Sequence, residues 1–186
     1  MNSSGAWTQT KDGGTYPHGA KYMKRNVKAR SFTKGRWTIE IHNPVLNTKR
    51  VHTVDNLTPD VMLVALAVQL DWQNPPLYNI GYSPYIAVGD NGATPAAGDT
   101  TLGNELERRL VAVQTRTTTV NQYSVFFNAG ELLGNYREIG LFMDGNTSQA
   151  TSSADTGILA SRVQEDFTVG TGETVTISFD FGFVRP

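Results

Sequence analysis

The sequence predicts a mainly β protein, an antiparallel β-sandwich of jelly-roll type with one buried helix and an extended N-terminal arm. Three observations carry this. Period-two alternation of apolar and polar residues recurs along the chain from Arg36 onward and is cleanest at the C-terminus, where Val175, Ile177, Phe179, Phe181 and Phe183 share one parity. Eighteen glycines and many Thr and Asn residues punctuate those runs, as tight turns require. Residues 1 to about 35 show no hydrophobic period at all. The chain therefore divides into a basic arm, 1–35, that is ordered by a partner, and a sandwich body, 36–186.

The elements follow in order. Trp37-Thr38-Ile39-Glu40-Ile41-His42 alternates as a half-buried strand, Asn43-Pro44 breaks it, and Lys49–Val54 returns. Thr58 then offers an N-cap, Pro59 suits the first helical position and Asp60 complements the positive helix end. The run Val61–Val68 is apolar on every face, so its helix is expected to be buried all round. Tyr82–Val88 reads as a strand whose Pro84 suits an edge or a bulge. After a loop from Gly89 to Gly98, Asp99–Arg109 is expected as a short helix, with Leu102, Leu106 and Leu110 at helical spacing over a sheet end. Leu110–Thr118, Val120–Phe127 and Tyr136–Met143 read as strands. Ile158–Val169 and Glu173–Val184 are expected to pair as a hairpin through Gly170-Thr171-Gly172. In the third of these strands Arg137 and Glu138 point to opposite faces. Only one can face the interior, and it would need a partner there. Gly140 leaves room for a neighbouring aromatic ring.

Charge is divided as sharply as pattern. Met1–Arg36 holds eight basic residues against Asp12 alone, a sum of +7; the remainder holds eight basic and sixteen acidic residues, a sum of −8. Opposite signs on arm and body favour contacts between copies of one chain. Within the arm, Trp7, Tyr22, Lys24, Arg25, Lys28, Arg30 and Phe32 are the expected docking residues, the aromatics as anchors and the cations as partners for acids. The same cations and rings could hold phosphates and stack bases, but no nucleic-acid-binding fold accompanies them, so a nucleic acid is not the expected partner.

Motifs of catalysis are missing. There is no phosphate-binding loop, no dinucleotide glycine spacing, no nucleophile elbow and no cysteine. His42 and His52 could face each other across a hairpin, yet no third ligand stands near them in the sequence. Asp144, Asn146, Ser148 and Asp155 fall at positions 1, 3, 5 and 12 of a calcium loop that lacks its glycine and its terminal glutamate. The pairs Glu105/Glu107 and Glu165/Asp166 have no companion base and are expected on a solvated surface. No enzyme activity, cofactor or metal is expected. No apolar run approaches the roughly 18 residues of a membrane helix, and Met1–Gly13 lacks the apolar core of a secretory signal.

Four segments in this order resemble the small tail, neck and fibre-associated structural proteins of tailed bacteriophages. They are Val51–Leu66, a strand running into an apolar helix; Tyr85–Asp90 with Ala93-Thr94-Pro95 and Asp99–Glu105; Tyr136–Phe142; and Gly157–Arg162 with the terminal strand. The resemblance spans about residues 37–184 and leaves out the arm. It departs at Asp60-Val61-Met62, where such proteins often carry glycine. It implies a virion component, assembled in the bacterial host cytoplasm, that forms a ring or trimer with itself and contacts other virion proteins. A receptor- or glycan-binding module at a fibre tip is the alternative, with Tyr78 and Tyr82 as the aromatics it would use.

Overall fold

The computed structural model describes residues 7–9, 15–17, 33–56, 58–60, 62–64, 83–144 and 150–183. The chain forms two compact units, Met1–Arg30 and Ser31–Pro186. In the first, β1 (Trp7–Gln9) and β2 (Thr15–Pro17) pair antiparallel, with Trp7 opposite Pro17. A segment without a hydrophobic period thus contains a short two-stranded ribbon.

The second unit is an antiparallel β-sandwich built from hairpins that alternate between two sheets. β3 (Thr33–Asn43) and β4 (Thr48–Asp55) form the first hairpin; β5 (Tyr85–Gly89) and β6 (Glu105–Leu110) pair in the other sheet. β7 (Val113–Arg116) and β8 (Val120–Phe127) return to the first sheet, β9 (Gly134–Met143) and β10 (Ile158–Val169) to the second. β11 (Thr174–Phe183) closes the first sheet by inserting between β3 and β8. The strand orders are β4-β3-β11-β8-β7 and β10-β9-β5-β6. β3 begins at Thr33, three residues inside the segment that the sequence assigns to the arm.

Alternation explains the core between the sheets. Trp37, Ile39 and Ile41 of β3, Val175, Ile177, Phe179 and Phe181 of β11, and Tyr123, Val125 and Phe127 of β8 pack against Ile86, Val88, Ile139, Leu141 and Val163 of the facing sheet. Trp37 and Phe179 lie side by side, ring centroids 4.7 Å apart. Each fully buried large side chain of this kind contributes about 1.5–3 kcal/mol of hydrophobic stabilisation. The outer face of the five-stranded sheet carries the opposite parity, with Thr38, Thr53, Ser124, Thr176, Ser178 and Asp180 at least partly exposed.

The four-stranded sheet is buried on both faces. Glu138, Gly140 and Phe142 of β9 point away from the sandwich core into a second, smaller cluster with Ala87, Leu102, Ala150 and Leu159. The segments 90–104 and 150–157 supply Leu102 and Ala150 to that cluster. At Gly140 a methyl group would lie 2.9 Å from Leu102 and 3.1 Å from Leu159, with the Phe142 ring at 3.3 Å. The space kept open there is filled chiefly by two leucines.

Several expectations are corrected. The Asp99–Arg109 segment is not helical: it is loop to Asn104 and then the strand β6, and Leu106 and Leu110 are exposed while only Leu102 is buried. The helical spacing of those leucines yields to ladder pairing with β5. β10 and β11 do not pair, because the turn from Gly170 to Glu173 carries the chain from one sheet to the other. β5 is a central strand between β6 and β9, and Pro84 sits just before it, outside the ladder. The strand expected over Leu110–Thr118 is two: Leu110 ends β6, and β7 starts at Val113 in the other sheet. Residues 60 and 62–64 are helical, as the capping residues predict, but only Met62 is buried, while Leu63 and Val64 are exposed. The helix is therefore not buried on every face within this chain; residues 65–70 lie outside the described set.

Candidate functional site

Two arginines organise the outer face of the four-stranded sheet. Glu138 is wholly buried, as parity required of one member of the Arg137–Glu138 pair. Its Oε1 accepts the Asn104 N–H at 2.8 Å and its Oε2 the Gly103 N–H at 2.9 Å. Arg162, facing it from β10, donates to the same Oε2 from Nε (3.1 Å) and Nη2 (2.8 Å). Arg162 Nη1 reaches Asp99 at 2.5 Å, and Nη2 reaches the Ala93 carbonyl at 3.4 Å. One guanidinium and one carboxylate thus fasten the 93–104 loop to the sheet. Every charge has a partner, which is the condition for burying it.

Arg108 of β6 does the same for the segment 151–156. It pairs with Glu105 through Nε and, at 2.6 Å, through Nη2. Its Nη1 donates to the carbonyls of Thr151 and Thr156, each at 3.1 Å. The guanidinium lies 4.4 Å above the Phe142 ring, a cation–π contact inside the small cluster. Glu105 is almost fully buried, contrary to the solvated surface expected for it. The i,i+3 spacing places the pair across a bulge: Gly89 faces Glu105 while Val88 faces Glu107.

A third polar link joins the two sheets. Ser161, fully buried on β10, accepts hydrogen bonds from Trp37 Nε1 and Asn56 Nδ2, both at 2.8 Å. A hydroxyl held by two donors, with no histidine bonded to it, is an anchor rather than an activated nucleophile. Glu138 and Glu105 are likewise committed to arginines and backbone amides.

The remaining polar ground lies along the rim where β4 and β10, the edge strands of the two sheets, come together. His52 Nδ1 is 2.9 Å from Glu165 Oε1. Arg50 donates to the Thr168 carbonyl at 2.9 Å and to Glu173 at 2.7 Å, and Arg137 meets Asp166 at 3.4 Å. An open cleft of about 580 Å³ lies here among Arg50, His52, Asn135, Arg137 and Thr168. A second, of about 390 Å³, follows beside Asp55, Asn56, Arg162 and Gln164. On the opposite rim Arg109 crosses from β6 to the end of β8 and the connection beyond it, bonding the Phe126 carbonyl and Glu131, each at 2.7 Å. The Arg109 hydrogen bond, with the Asn128 N–H behind it, holds the Glu131 carboxyl at a pKa of about 2, below its usual 4.5.

The histidines do not converge. Ile39 faces His52 in the β3–β4 register and His42 faces Lys49, which puts the two rings on opposite faces of the sheet. Of the four calcium-loop positions, Asn146 and Ser148 lie outside the described residues. Asp144 Oδ1 accepts the Ala150 N–H at 2.8 Å, and the Asp155 N–H donates to Glu105. Among the described residues no three His, Asp or Glu side chains are grouped to hold a metal ion. Nor is any helix among them long and apolar enough to cross a membrane. Of the docking residues in the arm, Trp7 lies in β1; Tyr22, Lys24, Arg25, Lys28, Arg30 and Phe32 lie outside the described residues, as do Tyr78 and Tyr82. Sequence reasoning missed Arg162 and Arg108 as buried clamps. Their signal is a lone arginine in the mostly apolar first half of a strand, Ile158-Leu159-Ala160-Ser161-Arg162-Val163, and an i,i+3 Glu–Arg pair. No protein-family model matches the chain, and no curated protein or solved structure matches it.

Proposed function

We propose that this chain is a non-enzymatic structural component of a tailed-phage virion, from the tail, the neck or collar, or the fibre-attachment region. It assembles into a symmetric homo-oligomer and docks neighbouring virion proteins through its basic N-terminal arm. The resemblance of the four segments supplies the setting. One observation carries the mechanism: among the described residues of the body, every cation but Arg116 is already paired with a carboxylate. Lys49, Arg50, Arg108, Arg109, Arg137 and Arg162 each hold a carboxylate of the body. Asp60, Asp90, Glu107, Asp144, Asp155 and Asp180 form no ion pair among the described residues, so the body presents surplus negative charge. An arm segment rich in Lys and Arg is complementary to such a surface on an adjacent subunit.

The test is deletion of residues 1–30, the boundary of the first unit, which leaves β3 intact. Light scattering should show a smaller assembly, or co-sedimentation with partner virion proteins should fail, while the body keeps its thermal melt. Binding by the intact chain should weaken as salt rises from low to physiological, because the contact is between exposed charges. Unchanged assembly after the deletion refutes arm docking.

A further inference from the structure

We infer that β4 is the self-association edge of the body: it pairs antiparallel with β4 of a second copy about a two-fold axis at His52, joining two five-stranded sheets into one of ten. This deepens the homo-oligomer reading and rests on it.

A sandwich has four sheet edges, and three of these are blunted in the ways that discourage strand addition. β10 is interrupted by register shifts at Leu159/Ser161 and Gln164/Phe167. β6 is bulged where β5 passes from Val88 to Gly89. β7 has four residues. Only β4 is long and regular, eight residues in continuous register with β3 and no strand among the described residues on its far side. Val51 is 53% exposed at its centre.

The register follows from hydrogen bonding. Asn56 N–H donates to the Gly35 carbonyl at 3.0 Å. Bonded pairs alternate along an antiparallel ladder, so the even-numbered residues of β4 face β3. The odd-numbered residues, Lys49, Val51, Thr53 and Asp55, turn their N–H and C=O groups outward. Their side chains also share one face, the outer one. An antiparallel mate that keeps outer face with outer face must pair odd with odd; two alignments then use seven of the eight residues, and the one that brings opposite charges together sets Lys49 against Asp55, Val51 against Thr53 and His52 against itself. Two-fold symmetry makes the Lys49–Asp55 contact occur twice. Each Asp55 already meets Arg36 (3.2 Å) and each Lys49 meets Glu40 (2.9 Å), so the join extends alternating charge across both copies. Slipping the mate by one pair in either direction sets Lys49 against Thr53, or Val51 against Asp55, and loses both ion pairs. A two-fold contact also implies an even number of copies.

Thr53→Pro in the full chain tests this. It removes an outward N–H and no ladder bond to β3, so the melt should hold while the dimer dissociation constant in sedimentation equilibrium rises on the order of a hundredfold. Lys49→Asp should weaken the dimer by about tenfold or more by setting acid against acid, and Lys49→Asp with Asp55→Lys should recover part of that loss, since the pairs between copies return while Arg36 and Glu40 lose theirs. The charge reversal decides the matter if the proline variant fails to fold. A wild-type assembly that neither change disturbs overturns the edge and leaves self-association standing. A wild-type chain monomeric at micromolar concentration overturns both.

Discussion

Replacing Glu138 by Gln probes the clamp that holds the 93–104 loop. The carboxylate accepts two backbone amides and two guanidinium N–H groups, and Arg162, with a side chain 5% exposed, keeps only Asp99 and the Ala93 carbonyl once it is gone. Glutamine has one acceptor oxygen where four donors converge, and its NH₂ group faces some of them. Breaking one partner of a buried ion pair costs about 3–5 kcal/mol. For a domain of this size, about 1 kcal/mol moves the melting temperature by roughly 2–4 °C, so the fall should be on the order of 6–20 °C. Arg162→Met should cost a similar amount. The double change should cost clearly less than the sum of the two, because neither member of the Arg162–Glu138 pair is left buried without the other; Asp99, 22% exposed, loses its guanidinium to partial solvation, and one of the Gly103 and Asn104 amides stays unsatisfied at about 1–3 kcal/mol. Urea unfolding of all four proteins gives the coupling energy, and amide exchange should show protection lost first at Gly103 and Asn104. Strict additivity, or a single-mutant loss below about 1 kcal/mol, would refute the clamp.

Three further outcomes are expected. Glu131 should titrate near pH 2 by carbon-detected NMR, and Arg109→Met should return its midpoint toward 4.5. The folded pKa lies below the unfolded one, so this carboxylate's stabilising contribution is complete above about 4.5 and is lost as pH falls from there through 2. Gly89→Ala should destabilise the fold by about 1–3 kcal/mol in chemical denaturation, because the new methyl would stand 2.3 Å from the Asn104 carbonyl oxygen, which is backbone and cannot swing away; Gly98→Ala, with nothing within 4 Å, should be close to neutral. Ser161→Ala removes the acceptor shared by Trp37 and Asn56 and should cost about 1–3 kcal/mol, with a shift in tryptophan fluorescence as the buried indole N–H loses its partner.

Local chemistry made much of the architecture legible. The β3 and β11 faces, the Asn43-Pro44 break, the helix start at Pro59–Asp60 and the need for a partner to one of Arg137 and Glu138 all come from periods, caps and parity within a few residues. The candidate rim is different. Lys49 to Val54 reads in sequence only as a return strand; that it is an open, unbulged edge depends on where β10 and β11 go. The buried clamps were equally hidden, because Arg162 meets Asp99 and Glu138 across 63 and 24 residues.

The amino-acid sequence by itself determined the mainly β class, the inward parity of its strands and the opposition in charge between arm and body. Those properties are sums over neighbouring residues, and no distant contact can reverse them. Tertiary structure alone decided that β10 and β11 lie in different sheets, that Glu105–Leu110 is strand rather than helix, and which charges are buried. A turn such as Gly170–Glu173 closes equally well between paired strands and between sheets, and a Glu–Arg pair three residues apart suits a helix or a bulge. Only the burial gained by packing two whole sheets, and the pairing of every charge that packing enclosed, selects between them.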